Sequence, residues 1–156
     1  MAYPTRVRYG LRLLVRLALQ EESRLSMNEI TLEEGVSIKY LEQIVSLLKP
    51  LGILESVRGA RGGYCLICNP GEITMDRVFE SLGGLAASAP CFEDESICSR
   101  VDVCTTKPFW GQFDTHVRGF LKGKTLADIV ASAPKGNLEF SRKNALEFGC
   151  PIVPAK

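Results

Sequence analysis

Residues 37–67 decide the fold of this chain; they read SIKYLEQIVSLLKPLGILESVRGARGGYCLI. Ser37 is a favourable helix N-cap, and Pro50 with Gly52 marks the end of that helix. Between them, apolar residues recur at helical spacing: Ile38, Leu41, Ile44, Val45 and Leu48. Two β-prone runs, 53–57 and 64–67, then flank a loop with two arginines among three glycines. The stretch predicts a helix followed by a β-hairpin with a basic tip.

A shorter helix is predicted just before this one. Ser26 and Glu29 form a capping-box pattern, and Gly35 ends the helix. Two helices joined by a short glycine-containing turn form the helix-turn-helix pattern, and the hairpin that follows makes it a winged helix. The predicted fold class is therefore mainly α with a small β-hairpin wing: a winged helix-turn-helix plus a long dimerisation helix.

The N-terminal segment, residues 6–19, predicts an amphipathic helix. Its apolar positions are Val7, Leu11, Leu14, Val15, Ala18 and Leu19. Arg8, Arg12 and Arg16 lie on another face of this helix, where they are either solvated or in contact with phosphates.

The C-terminal half predicts three more helices. Thr74 caps the first, and Thr125 with Asp128 opens the last. The middle helix runs from Pro108 to Lys122, with an apolar seam of Trp110, Phe113, Val117, Phe120 and Leu121. We expect this seam to be a dimer contact, the alternative being packing on its own chain. The predicted divisions are a DNA-binding domain at 1–85, a cysteine loop at 86–105, dimerisation helices at 106–133 and a flexible tail at 134–156.

Cys91, Cys98 and Cys104 are separated by six and then five residues between two predicted helices. Thiolates are soft ligands for zinc or iron, and these gaps are wider than those of zinc ligand pairs, which favours an iron–sulfur cluster. Three unrelated surface cysteines are the alternative. The fourth ligand stays open: His116 is distant along its helix, Cys65 and Cys68 would project from opposite faces of a strand, and Cys150 lies in the tail.

Composition sets broad limits on function. The chain has 156 residues, six cysteines and a net charge of +1, so any basic surface must be local. No apolar run is long enough for a membrane span or a signal peptide, which predicts a cytoplasmic protein without a membrane partner. We find no nucleophile–base pair, phosphate loop or paired carboxylates, and so we expect no enzymatic activity.

The chain resembles the bacterial winged-helix regulators of the Rrf type, the family that includes IscR, NsrR and CymR. The likeness spans about residues 5–130 and rests on these motifs: Arg8-Tyr9, Tyr40-Leu41-Glu42-Gln43, Ser56-Val57-Arg58-Gly59, Gly62-Gly63-Tyr64, the three cysteines, Trp110 and Thr125-Leu126-Ala127-Asp128. The resemblance implies a homodimer on a palindromic double-stranded DNA operator. It also implies a two-iron two-sulfur cluster, in preference to a four-iron four-sulfur one, on Cys91, Cys98 and Cys104.

The same resemblance implies which residues contact DNA. Ser37, Tyr40, Glu42 and Gln43 would face the major groove, and Arg58 or Arg61 the minor groove. Glutamine pairs with adenine and glutamate accepts from cytosine, whereas Arg8 and Lys39 would contact phosphates. Two departures leave the fourth cluster ligand unassigned, because Lys107 and Arg8 stand where relatives place a ligating His or Asp.

Two functional hypotheses follow. In the first, the chain is a repressor whose DNA affinity is set by the cluster, which senses redox state, nitric oxide or cluster supply. In the second, a regulator of the same fold has no cluster and is switched by its cysteine thiols or by a protein partner.

Overall fold

The computed structural model describes residues 3–19, 25–58 and 62–134, and it confirms the predicted fold class. The chain is mainly helical, with one two-stranded antiparallel hairpin in the described residues. The elements are α1 (Thr5–Leu19), α2 (Met27–Glu34), α3 (Ile38–Leu48), β1 (Leu54–Val57), β2 (Gly63–Leu66), α4 (Met75–Ser81), α5 (Lys107–Lys122) and α6 (Leu126–Ala131).

The helix-turn-helix pair, α2 and α3, is fixed by its caps. Ser26 Oγ accepts from Glu29 N at 3.2 Å, and the Glu29 carboxylate accepts from Ser26 N at 2.8 Å. Gly35 closes α2 at a φ of 64°, a conformation that favours glycine. Ser37 Oγ then accepts from Tyr40 N at 3.2 Å and starts α3. These caps agree with the sequence prediction.

The hairpin formed by β1 and β2 is anchored to the start of α2. Ser56 lies opposite Tyr64 in the register, and Leu54 opposite Leu66. Leu25 adds a bridge beside β2: Leu25 N donates to Tyr64 O at 3.0 Å, and Tyr64 N donates to Leu25 O at 2.8 Å. The end of β2 nearest the wing tip is therefore hydrogen-bonded to the residue before the N-cap of α2. Its tip, residues 59–61, lies outside the described residues.

Helix α1 is the centre of the core, and its buried face matches the predicted one only in part: Val7 and Leu14 are buried as expected. Leu13 and Leu14 have no exposed surface, and Leu17 and Gly10 are also buried. Four predicted core positions are only half-buried: Leu11, Val15, Ala18 and Leu19. Because α1 is rich in leucine, two neighbouring apolar stripes compete, and only packing selects between them. Ile38 was also predicted to be buried, yet it is 45% exposed in the first turn of α3.

The C-terminal segment returns to this core. Leu126 of α6 is fully buried, and its N–H donates to Ile73 O at 2.9 Å. Met75 N donates to Lys124 O at 2.8 Å. Helix α6 packs on α1, whereas Leu121 is the one buried residue of α5. None of the helices in the described ranges combines the length and apolar character needed to cross a membrane.

Two of the α1 arginines form ion pairs that the sequence did not predict. Arg12 forms an ion pair with Glu34, and Arg16 forms one with Glu33. Glu34 is only 6% exposed, and its Oε2 lacks a hydrogen bond of ordinary geometry. A buried carboxylate in this state loses hydration that its partner only partly replaces. Burial accordingly raises the pKa of Glu34, with the charges of Arg12 and Arg16 opposing the shift.

We expect Glu34→Gln to change how stability depends on pH. Since the folded pKa is raised, folding favours the protonated carboxyl, and stability is lost as the pH rises from the unfolded pKa through the folded one. The glutamine has no such proton to lose. The free energy of unfolding of Glu34→Gln, relative to the wild type, should therefore increase across that window in urea titrations. A difference that is independent of pH would contradict the expectation.

Candidate nucleic-acid interface and cysteine loop

The face of α3 that points away from the core is polar. Lys39, Glu42 and Gln43 are all exposed on it. Ser46 shares this face and was missed by the sequence analysis; its hydroxyl donates to Gln43 O at 2.7 Å. The helical period would have identified it, since it lies three and four residues beyond two predicted contacts. A helix that presents donors, acceptors and a cation along one face suits the major groove.

The other two predicted contacts at the start of α3 have structural roles as well. Ser37 is exposed, but its hydroxyl caps the helix. Tyr40 is half-buried and meets the Tyr9 ring edge-on, with centroids 5.9 Å apart. Burial raises the pKa of Tyr40, and the positive charges of Arg6 and Arg8 oppose that shift. Arg8 is exposed and directly precedes Tyr9, whose ring contacts Tyr40 in the first turn of α3.

One basic residue of the wing lies in the described part of the chain. Arg58 is exposed directly after β1, and Arg61 lies outside the described residues. Lys49, at the C-cap of α3, was not predicted as a contact. Its Nζ lies 3.4 Å from Ser56 Oγ and 5.8 Å from the Tyr64 ring centroid, so it joins the helix to both strands of the wing.

The cysteine loop consists of three short 3-10 turns, at Pro90–Phe92, Glu95–Ile97 and Val101–Val103. Cys91 lies in the first turn, and Cys98 and Cys104 follow the second and the third. All three thiols are free and half-buried. Within the described ranges no group of three or more Cys, His, Asp or Glu side chains is arranged to hold a metal ion. The structure thus places the predicted ligands in one loop without bringing them around a common centre.

Hydrogen bonds favour the thiolate form of one of the three cysteines. A hydrogen bond with the Thr106 hydroxyl, whose oxygen lies 3.5 Å from the sulfur, lowers the pKa of Cys104. The backbone N–H groups of Thr106 and Lys107 and the charge of Arg100 act in the same direction. Lys107 also donates to Glu95 at 2.8 Å, which ties the middle turn of the loop to the start of α5.

The candidate fourth ligands that the structure describes make their contacts outside the cysteine loop. His116 is exposed on α5, with its Nδ1 2.9 Å from Gln112 O of the same helix. Cys65 lies 3.9 Å from a Glu55 carboxylate oxygen, and burial raises the pKa of its thiol. Cys68 instead donates to a different partner, the carbonyl of Gly52, at 3.3 Å. Cys150 falls outside the described residues.

The predicted seam of α5 is divided between two surroundings. Leu121 is buried in its own chain, and Val117 packs half-buried against the same core. In contrast, Phe120 is 64% exposed and Phe109, which the sequence analysis did not include, is 61% exposed. Trp110 bridges two neighbouring rings edge-on, at 5.1 Å from Phe109 and 6.2 Å from Phe113. An aromatic surface thus remains on α5 after the chain has folded.

Comparison with known proteins agrees with this architecture. Residues 3–132 match the family model described as Rrf2, iron-dependent transcriptional regulator. The protein named Protein rrf2 from Nitratidesulfovibrio vulgaris is 34% identical over 134 residues, which cover 85% of this chain and 89% of that protein.

Two solved structures are also similar to this chain. CymR, the global cysteine regulator of B. subtilis, is 31% identical with a TM-score of 0.69, over 86% of this chain and 99% of that one. T. potens IscR is 28% identical with a TM-score of 0.67, over 89% and 96%. The family match, the relative and the shared fold together confirm the resemblance, and the chain belongs to the Rrf2 family of transcriptional regulators.

Proposed function

We propose that this chain is a repressor that binds a palindromic double-stranded DNA operator as a homodimer, in the cytoplasm. The proposal is carried by the exposed polar residues of α3, beside a wing whose first strand is followed by the exposed Arg58; those residues of α3 are Lys39, Glu42, Gln43 and Ser46. Helix α3 enters the major groove, where Gln43 and Glu42 contact base edges. Arg58 reaches the adjacent minor groove, and Arg8 contacts a phosphate.

The homodimer forms through α5. Phe109 and Phe120 are large, exposed and on the same helix, and aromatic side chains are enriched at the interfaces between protein chains. A second copy of this chain buries the same patch on both partners, which produces a two-fold axis. Two copies of α3 and its wing, related by that axis, match an operator whose half-sites are inverted repeats.

The switch is the cysteine loop, and its donor set fits an iron–sulfur cluster. Cys91, Cys98 and Cys104 are soft ligands with free thiols, and Cys104 has a lowered pKa. When bound, a two-iron two-sulfur cluster supplies a centre that reacts with oxidants or nitric oxide. The chain's own contribution is to bind it with three thiols and to transmit loop movement through the Lys107–Glu95 ion pair to α5.

A specific observation favours a second candidate. The three cysteines are not gathered around a common centre in the described residues, so a cluster would require the loop to rearrange. A cluster-free regulator needs only a reactive thiol, and lowering the pKa of Cys104 increases its thiolate fraction. In that case oxidation of the thiols, or a protein partner, controls DNA affinity.

Cys98→Ala separates the two candidates. We expect the wild type, purified without oxygen, to contain iron and acid-labile sulfide and to absorb visible light, and Cys98→Ala to lose all three. Cys68→Ala, outside the loop, is the matched control and should retain them. A colourless wild type that forms a defined disulfide on oxidation, identified by peptide mass spectrometry, would support the thiol switch and overturn the cluster.

A further inference from the structure

We infer that Lys49 and Ser56 form a binding site for a DNA backbone phosphate, located between the helix that reads the major groove and the wing that reads the minor groove. The inference rests on the proposed function and identifies a positioning contact within it. Lys49 Nζ and Ser56 Oγ lie 3.4 Å apart, and both residues are exposed.

The position of Lys49 in the fold supports a phosphate contact. Lys49 follows the last residue of α3, and its ammonium lies over the Tyr64 ring of β2. A winged helix spans two adjacent grooves, and the sugar–phosphate strand between those grooves must pass the junction of helix and wing. Lys49 occupies that junction. Its ammonium contacts both strands of the hairpin, through Ser56 Oγ and the Tyr64 ring, and these contacts position the charge at the junction.

The distribution of charge on the hairpin also supports a phosphate contact. Side chains alternate between the two faces of a strand, so Ser56 and Arg58 share one face of β1 and its extension. Glu55 projects from the opposite face and contacts Cys65. Within the described ranges no carboxylate forms an ion pair with Lys49. The face of the hairpin that Lys49 contacts therefore has two cations in the described residues, Lys49 at the end of α3 and Arg58 directly after β1.

Lys49 and Ser56 also have hydrogen-bond donors available for a phosphate. An ammonium has three donors, and the contact with the Ser56 hydroxyl uses one of them. The Ser56 hydroxyl can itself donate. A phosphate oxygen bound here accepts from both groups, which is the chemistry of a backbone contact that fixes the docking register without reading sequence.

The test is the salt dependence of DNA binding, measured by fluorescence anisotropy with the full chain. The probes are a short duplex of random sequence and a duplex that the wild type selects from a random pool. For Lys49→Met we expect affinity to fall by the same factor on both probes. The slope of log K against log salt concentration should fall by about 1 per subunit. Lys49→Arg should restore the slope, because it keeps the charge.

Lys122→Met, which removes one charge at the end of α5, is the matched control and should leave the slope unchanged. A wild-type slope in Lys49→Met, or a loss confined to the selected duplex, would overturn the inference while leaving the proposed function intact. A purely structural role for Lys49 would lower the thermal midpoint without changing the slope, and this result too would overturn it. A wild type that binds neither duplex would remove the proposed function and the inference together.

Discussion

A chain carrying Phe120→Asp is expected to be monomeric, and its affinity for a palindromic operator is expected to fall by roughly 10²- to 10⁴-fold. The physical reason is the loss of avidity, because each half-site must then be bound by a separate monomer. Phe120 is 64% exposed in the single chain, so an aspartate there is solvated and the monomer should remain folded. Buried in a dimer interface, the same charge would be unpaired and costly.

The neighbouring residue provides the contrast. Leu121 is 5% exposed, and Leu121→Asp should unfold the chain itself rather than separate two folded copies. Phe120→Leu should remain dimeric because it keeps an apolar contact. Sedimentation velocity gives the mass, and circular dichroism shows whether each variant is folded. A folded Phe120→Asp protein that is still dimeric and binds the operator normally would show that the dimer forms through another surface.

The second large effect is expected from Gln43→Ala on the outer face of α3. Gln43 is exposed and has an amide that can pair with an adenine through two hydrogen bonds. Its removal should cost about 1–3 kcal/mol per half-site at one base-pair position, and the variant should no longer discriminate at that position. The salt slope should stay as in the wild type, since no phosphate contact is lost. This result distinguishes base reading from the phosphate contact expected of Lys49.

Competition with a set of duplexes, each substituted at one position, measures this discrimination directly. The wild type should show a penalty at one symmetric pair of positions that disappears in Gln43→Ala. If the variant instead weakens binding equally at every position, Gln43 does not read a base, and the orientation of α3 in the groove would need revision.

Local signals in the sequence were sufficient for the DNA-binding unit. The capping box at Ser26 and Glu29, the cap at Ser37 and the left-handed Gly35 act within four residues, so their geometry follows from neighbouring residues alone. The hairpin was predicted for the same reason. The exposed residues of α3 follow from helical periodicity, and Ser46 could have been found by extending it by one turn.

Contacts between distant residues could not be predicted. Arg12 and Arg16 meet Glu34 and Glu33 across the α1–α2 junction, and no local pattern encodes those ion pairs. An apolar stripe also does not say which partner covers it. Val117 packs on its own chain while Phe120 faces outward, although both lie on one predicted seam. In the cysteine loop, the residue type identified thiolate donors. The spacing of the cysteines did not determine where the three turns place the sulfur atoms.

In the proposed function, two copies of this chain read an inverted repeat through α3 and the wing. The most direct measurement is selection of duplexes from a random pool by the full wild-type chain, followed by sequencing. We expect an enriched palindrome. Its half-site centres should be separated by one helical turn of DNA, roughly 10 base pairs, or by a multiple of that distance. A pool with no enriched sequence, or with a single unrepeated half-site, would contradict it.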